Sequence, residues 1–400
     1  MNPVEPHAWI EVDLGAIRHN YRQVVKLAGP GCRVIPVVKG NAYGHGLAEV
    51  SRALSDEGAA TLAVKHVEED SDLRAAGIGG DILLLAPPRG SAAAAAVEMD
   101  VSCCVMDQEG SNELAAAASA RGRRVKAHLK VDTGMGRLGV RPDHAVELAR
   151  SIASSGALDL AGVYSHCAEG ASEPAVMRQL RVFQACCQTL SEAGISLPLR
   201  HIAASAASLS LPGSRLDAVR IGNLIYGQYP AGALKKRYQG DLGLRDTWRF
   251  CSRIIAMRSL PPGSSVGYGA EYQTPRVCRI AVVPVGLADG LGMMPASISG
   301  KGLRGVIKSV LRPRFAHWVR LREQPAPIVG TVFSTQSTTE SDGFSMTSLD
   351  LFSEPPPLAA TVTSTVSPGT SSTLTTAGVL SRVLRRSNSG SATTDARSVF

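Results

Sequence analysis

The 400-residue sequence lacks the patterns that mark membrane, secreted and zinc-binding proteins. No apolar run reaches the roughly 20 residues that a membrane-spanning helix needs, and the opening MNPVEPHAWIEV lacks the charged-then-apolar order of a signal peptide. The eight cysteines include no Cys-X-X-Cys spacing, which favours reduced thiols over a disulfide framework or a metal site. We therefore expect a cytoplasmic protein with no metal ion and no membrane segment.

Aromatic residues are also scarce, at 4% of the chain, although the net charge is +8. Basic residues concentrate in Lys301–Arg322 and in the last twenty residues, and only Phe315 and Trp318 lie within the first group. Binders of single-stranded nucleic acid interleave basic and aromatic side chains, and that pattern is weak here. The charge is better explained as a solvated basic face, and an anionic small ligand is equally compatible with it. We expect no nucleic-acid partner.

From Asp13 to about residue 220 the chain alternates between strand-like and helix-like segments joined by short connections. The first helix is predicted in DLGAIRHNYRQVVKLAG, with Asp13 as its cap and Gly29–Pro30 as its end. A repeated βα pattern of this length predicts a (β/α)8 TIM barrel, in which sites form at the carboxyl ends of the strands. The strand candidates are RVIPVVK, ATLAV, DILLLA, VSCCVM, VKAHLKV, LDLAGVYS, LPLRHIAA and LDAVRIG.

Near residue 245 the pattern changes to strands with Gly/Pro turns and no intervening helix, which predicts a mainly-β domain. The expected organisation is a barrel over residues 1–244 and a β domain over 245–333, with the first strand, Trp9–Val12, as a candidate member of the β domain. Residues 334–400 are rich in Ser, Thr and Pro, including Pro355–Pro357. Such a composition predicts a divergent tail that packs poorly or is disordered.

The segment KVDTGMGRLG, Lys130–Gly139, spaces its glycines as G-X-G-X-X-G, like a dinucleotide-binding loop. Such a loop closes a strand and opens a helix, so that backbone N–H groups meet a pyrophosphate. Here VKAHLKV predicts the strand, but the next helix is predicted to begin only at Pro142–Asp143. In a dinucleotide-binding unit, an acidic residue that binds the ribose closes the next strand, whereas Asp159 opens it. The spacing alone leaves a dinucleotide site, a structural turn and another kind of site open.

Chemically capable side chains follow several predicted strands. Lys39 closes the apolar strand VIPVVK, where burial should lower the pKa of its amine. A lysine of that kind can form a Schiff base with a carbonyl group. Lone histidines are usually structural, but two at barrel strand ends together with a lysine and an arginine indicate a site. The other strand-end residues are Lys130, Asp132, His166, His201 and Arg220.

Five motifs carry a family resemblance. VVKGNAYGHG resembles the pyridoxal-phosphate lysine motif of the fold-type III alanine racemases, and HLKVDTGMGRLGV resembles that family's second signature. VRIGNLIYG, VGYGAEY and VGLADG resemble three more, in the family's order, between about Trp9 and Gly330. The resemblance implies a barrel that binds pyridoxal 5'-phosphate, a C-terminal β domain, and a head-to-tail homodimer whose active sites take residues from both chains.

The resemblance also implies roles for individual residues. Lys39 and Tyr268 would be the two catalytic bases on opposite faces of the substrate Cα, with Tyr268 supplied by the partner subunit. Arg137 would face the substrate and the phenolic oxygen of the cofactor, and Lys130 is a candidate for carbamylation. The implied cofactor-binding residues are Lys39, Tyr43, His166, His201, Ser205, Arg220, Gly222 and Asn223.

The function that follows from the resemblance is an isomerase that interconverts L- and D-alanine, by two-base proton transfer on a pyridoxal-phosphate aldimine, and supplies D-alanine for cell-wall peptidoglycan. Two alternatives stay open: a weakly active or non-catalytic homologue that binds the cofactor, and a racemase for another amino acid. The first draws on departures from the family pattern. Ser334 and Thr335 stand where the family has Met and Asp, and no tyrosine follows Tyr272.

Overall fold

The computed structural model describes residues 5–270, 272–286, 289, 318–321, 324–327, 329, 373–375 and 381–383. These residues form two compact units, of which one contains Asp13–Thr247 and the other contains the described residues before Asp13 and after Thr247. Among the described helices, none is long and apolar enough to cross a membrane. Ser334 and Thr335 lie outside the described residues.

Strand β1 (Ala8–Val12) precedes the larger unit, which is a closed barrel of eight parallel strands. Its strands are β2 (Arg33–Pro36), β3 (Thr61–Val64), β4 (Asp81–Leu84), β5 (Cys103–Val105), β6 (Val125–Lys130), β7 (Leu158–Tyr164), β8 (Arg200–His201) and β9 (Ala218–Ile221). Direct ladders join β2 to β9, β3 to β4, and β5 through β8. The parallel bridges Val37–Ala63, Leu83–Ser102 and Ala204–Arg220 complete the ring. The predicted TIM barrel is therefore confirmed.

The first helix before the barrel strands begins and ends at residues that suit those positions. Helix α1 (Leu14–Ala28) is capped by Asp13, whose carboxylate accepts from the Ala16 N–H at 2.9 Å, and it stops at Gly29 with φ 82°. Both ends agree with the sequence prediction. The others are α2 (Lys39–Gly44), α3 (Leu47–Asp56), α4 (Val67–Ala75), α5 (Ser91–Glu98), α6 (Gln108–Ser119), α7 (Ala145–Ser154), α8 (Glu173–Glu192), α9 (Ser205–Ser210) and α10 (Gly232–Leu242), with 3-10 turns at Pro142–His144, Pro212–Ser214 and Tyr268–Ala270.

The strands of the barrel are buried, which explains why they read as nearly continuous apolar runs. Each buried aliphatic side chain contributes roughly 1.5–3 kcal/mol relative to exposure. One cluster of the core consists of Ile35, Val37, Ala63, Leu83, Leu199 and Ala218. Against this apolar background the buried polar side chains of the barrel strands stand out: His128, Lys130, His201 and Arg220.

In the residues that the structure describes, the second unit contains strands and short 3-10 turns. Besides β1, its described strands are β10 (Trp248–Arg253), β11 (Ala256–Leu260), β12 (Ser265–Val266), β13 (Tyr272–Gln273), β14 (Cys278–Val282), β15 (Trp318–Leu321), β16 (Gln324–Pro327), β17 (Thr373–Thr375) and β18 (Ser381–Val383). Six of these described strands form a sheet in the order β16-β15-β17-β10-β1-β18, and β1 pairs antiparallel with β10 over Ala8–Val12. A small core of Phe250, Val283 and Val285 lies in this unit. The sequence-based limits of 1–244, 245–333 and 334–400 stay predictions.

Candidate active site

Lys39 follows β2 at the carboxyl end of the barrel and begins a turn of left-handed backbone. Its side chain is half-buried, and this burial lowers the pKa of the amine. The positive charges of Arg137 and Lys65 lower it further, while the carboxylate of Glu69 opposes them. The predicted desolvation of Lys39 is confirmed, and its amine is neutral at a lower pH than that of an ordinary lysine.

Hydroxyl and N–H groups converge beside this turn. Ser205 Oγ accepts from the Gly222 N–H at 3.3 Å, and a Cβ atom placed on Gly222 would lie 2.9 Å from the hydroxyl oxygen of Tyr43. Glycine therefore leaves room for the Tyr43 hydroxyl at this point. The Asn223 N–H has no acceptor within the described part of the chain. The arrangement offers several donors to an anionic group.

Arg220 on β9 is a guanidinium buried in the barrel, with 3% of its surface exposed. Burial lowers its pKa to about 10, so it stays a cation at neutral pH. It donates to backbone carbonyl oxygens of Ser165 at 2.5 Å and of His201 and Ile202 at 3.2 Å each. It also meets the Nδ1 atoms of His201 at 2.7 Å and His166 at 3.2 Å.

These contacts fix the state of both histidines. Burial and the charge of Arg220 lower the pKa of His166 to about 3 and that of His201 well below its ordinary value, so both rings are neutral. Because a guanidinium only donates, each Nδ1 must accept, and the ring proton lies on Nε2. The Nε2–H of His166 is therefore a donor that can meet a negatively charged oxygen.

Two further residues of this cluster, His128 and Tyr164, were not identified from the sequence. His201 Nε2 lies 3.3 Å from His128 Nδ1, and the His201 ring stacks on Tyr164 with centroids 4.9 Å apart. A Cβ atom on Gly162 would lie 2.8 Å from His128 Nδ1, so glycine makes the space for that ring. The alternation of β6 could have indicated His128, because it lies two residues before Lys130 and shares its face.

Lys130 ends β6 inside the same cluster, with 6% of its surface exposed. Its Nζ lies 5.0 Å from the centroid of the Tyr164 ring, and Arg220 Cζ lies 5.1 Å from the same centroid. Burial is the main cause that lowers the pKa of Lys130. A neutral amine is the form that reacts with carbon dioxide, so the site suits the carbamylation implied by the resemblance.

The glycine-rich segment after β6 forms a loop and not the start of a helix. The carboxylate of Asp132 accepts from the N–H groups of Gly134, Met135 and Gly136 at 2.8–3.2 Å. At Gly139, φ is +130° and a Cβ atom would lie 2.5 Å from the Asp132 nitrogen. The next helical turn begins at Pro142, as predicted. The loop is thus a close backbone turn, and it leaves the side chain of Arg137 exposed.

The remaining residue implied by the resemblance, Tyr268, lies in the other unit. It begins the 3-10 turn Tyr268–Ala270 between β12 and β13, and the described structure covers its backbone only.

Comparison with known proteins identifies the family to which this chain belongs. The family model for the N-terminal domain of alanine racemase matches residues 12–230, and the model for the C-terminal domain matches residues 247–340. The chain belongs to the alanine racemase family. The C-terminal match extends past Gly330, where the motif resemblance ends.

Alanine racemases of known sequence or structure are similar to this chain along most of their length. The alanine racemase of Desulfovibrio desulfuricans is 36% identical over 330 residues, which is 82% of this chain and 83% of that protein. The alanine racemase of Desulforamulus reducens is 38% identical over 298 residues, 74% and 79% of the two chains. The crystal structure of alanine racemase from Streptomyces lavendulae superposes with a TM-score of 0.70 at 33% identity, covering 83% of this chain and 82% of that one.

Proposed function

We propose that the protein is a pyridoxal-phosphate-dependent alanine racemase, an isomerase that interconverts L- and D-alanine. The observation that carries the proposal is the position of Lys39. A lysine with a lowered pKa follows a barrel strand, and the same turn supplies Tyr43 to a cluster of hydroxyl and N–H donors. The membership of the alanine racemase family supports the substrate.

The residues present fit this cofactor. Tyr43, Ser205, Gly222 and Asn223 offer hydroxyl and backbone N–H donors of the kind that hold a phosphate, and a side chain on Gly222 would fill the space beside Tyr43. When bound, pyridoxal phosphate supplies an aldehyde for the amino group and a conjugated ring that withdraws electrons from the substrate Cα. Any atom that faces Arg220 has to accept a hydrogen bond, because the guanidinium only donates.

Lys39 is positioned to hold and move a proton at its Nζ. Its lowered pKa increases the fraction of neutral amine near neutral pH, which is the form that accepts a proton from carbon. Racemisation needs a second group on the opposite face, and we assign that role to the partner subunit's Tyr268 in a head-to-tail homodimer. His166 supports it with a neutral ring whose Nε2–H can donate to a phenolate. We assign Arg137 to the substrate side of the site.

The cell compartment and the use of the product belong to the same proposal. All eight cysteines are free thiols, which suits a reducing cytoplasm. There the product, D-alanine, would supply the synthesis of cell-wall peptidoglycan.

A second candidate is a weakly active enzyme or a racemase for another amino acid. It is favoured by Ser334 and Thr335, which replace the Met and Asp of the family pattern. A carboxylate that loses one or two charge-assisted hydrogen bonds binds more weakly by about 1.5–3 kcal/mol for each. Raised KM values for L-alanine and lower values for another amino acid would support this candidate.

The test is chiral chromatography of L-alanine, and of several other L-amino acids, after incubation with the purified protein and added cofactor. We expect D-alanine from the wild type and a loss of about a hundredfold to ten-thousandfold in Lys39→Ala. Lys26→Ala, at an exposed lysine of α1, is the matched control and should match the wild type. No racemisation of any amino acid by the cofactor-loaded protein would refute the proposal.

A further inference from the structure

The turn that carries Lys39 is built in an unfavourable backbone conformation. Gly40, Asn41, Ala42 and Tyr43 all have positive φ, between 52° and 64°, and three of the four are not glycine. Left-handed backbone costs an L-residue roughly 1–2 kcal/mol. The turn must therefore be held by contacts with the rest of the barrel.

One carboxylate makes contacts that hold it. Glu69 of α4 accepts from the N–H of Gly40, the residue directly after Lys39, through Oε1. Its Oε2 accepts from the N–H groups of Lys65 at 2.7 Å and His66 at 3.3 Å, which follow strand β3. Glu69 thus joins the segments that follow two neighbouring barrel strands.

Glu69 is also the acid that acts electrostatically on Lys39. The charged groups that affect the Lys39 amine are Arg137 and Lys65, which disfavour its protonated form, and Glu69, which favours it. The negative charge of Glu69 therefore opposes part of the effect of these two cations on the amine. The same side chain holds the backbone of the turn and adjusts the charge of its lysine.

We propose that Glu69 is a positioning residue for Lys39: its hydrogen bonds to Gly40 and to the residues after β3 fix the left-handed turn after β2, and its negative charge acts on the lysine amine. The proposal rests on the role of Lys39 in the proposed function. A plain capping role would need only the His66 contact at the start of α4, which is the longest of the three. The contact with Gly40 belongs to another element and has no part in capping.

The experiment measures Lys39 in the cofactor-free protein by competitive acetylation with acetic anhydride across pH, with Lys26 as internal reference and peptide mass spectrometry as readout. Glu69→Gln removes the charge and keeps one of the two acceptor oxygens, so the labelling of Lys39 relative to Lys26 at pH 7 should rise about twofold to tenfold. Glu68→Gln, one position earlier and exposed, is the matched control and should leave the ratio unchanged.

Glu69→Ala removes the acceptor as well, so it should lower the melting temperature more than Glu69→Gln does and slow the reaction of Lys39 with added pyridoxal phosphate. An unchanged labelling ratio in Glu69→Gln would overturn the proposal, as would an equal change in Glu68→Gln. The labelling does not require catalysis. Absence of racemisation would therefore refute the proposed function and leave this result standing.

Discussion

Replacing the buried carboxyl group of Asp70 by a carboxamide, in Asp70→Asn, should make the barrel more stable relative to the wild type as the pH rises from 4 to neutral. The Asp70 side chain on α4 is fully buried, and neither of its oxygens has a hydrogen-bond partner in the described structure. Arg74 is its charged neighbour, with Nε 3.4 Å from Oδ1, but burial dominates and raises the pKa of Asp70 to about 6. Arg74 also donates to the carbonyl oxygens of Ile78 and Gly80, so it keeps partners in the variant.

The size of the effect follows from this pKa. An unfolded aspartate titrates near 3.9, so the rise is about two units, and each unit corresponds to about 1.4 kcal/mol. Because the folded-state pKa is raised, the stability contributed by the protonated Asp70 is complete below about pH 4 and is lost as the pH rises through 6. The carboxamide of the variant stays neutral at every pH. Any constant cost of burying it lowers the free energy of unfolding of the variant equally at every pH and does not change how that free energy varies with pH. Between pH 4 and 7.5 the variant should gain about 2–3 kcal/mol over the wild type.

The assay is the melting temperature of Asp70→Asn and wild type between pH 4 and 8, at one protein concentration. For a domain of this size each kcal/mol corresponds to about 2–4 °C, so the advantage of the variant should grow by about 4–12 °C over this range. Asp72→Asn, at an exposed position of the same helix, is the matched control and should show no such trend. A difference in melting temperature that does not depend on pH would show that Asp70 is not ionised at a cost to the folded state.

Three further predictions concern the site itself. Gly139→Ala places a Cβ atom 2.5 Å from a backbone nitrogen, so it should lower the free energy of unfolding by about 2–4 kcal/mol and kcat/KM by at least about tenfold. Gly213→Ala is the control: Gly213 has open space around it, so this variant should change neither quantity. Mixing inactive Lys39→Ala and Tyr268→Phe chains should restore up to about a quarter of wild-type activity if subunits exchange, because half of the dimers are then heterodimers with one intact site each. No recovery despite proven exchange would contradict a shared site. Protein equilibrated with ¹³C-bicarbonate should show a carbamate carbon resonance that Lys130→Gln lacks, because the neutral amine of Lys130 adds carbon dioxide with release of one proton. Absence of this resonance from the wild type would count against carbamylation.

The sequence predicted those features that depend on local patterns. Asp13 and Gly29 mark the ends of α1 because capping and chain reversal need their residue types. The apolar strand VIPVV before Lys39 predicts a lowered pKa for its amine, and Pro142 predicts a helix start that argues against a dinucleotide loop. In each case a few neighbouring residues determine the structure.

Features that depend on distant residues could not be predicted in this way. The left-handed turn places Asn41, Ala42 and Tyr43 in a conformation that their own preferences oppose. The contact of Glu69 with the turn and the stack of Tyr164 on His201 join segments from different strands. No local pattern of the sequence indicates such contacts, because the closed barrel brings these residues together.

In the proposed function, Lys39 holds the cofactor of this racemase. The most direct measurement is peptide mass spectrometry of the cofactor-loaded protein after reduction with borohydride, which fixes a phosphopyridoxyl group on the amine that carried it. We expect the modification on the peptide that contains Lys39, at close to one group per chain, and none on the peptide that contains Lys130. A modification on another lysine, or none after full reconstitution, would contradict the account.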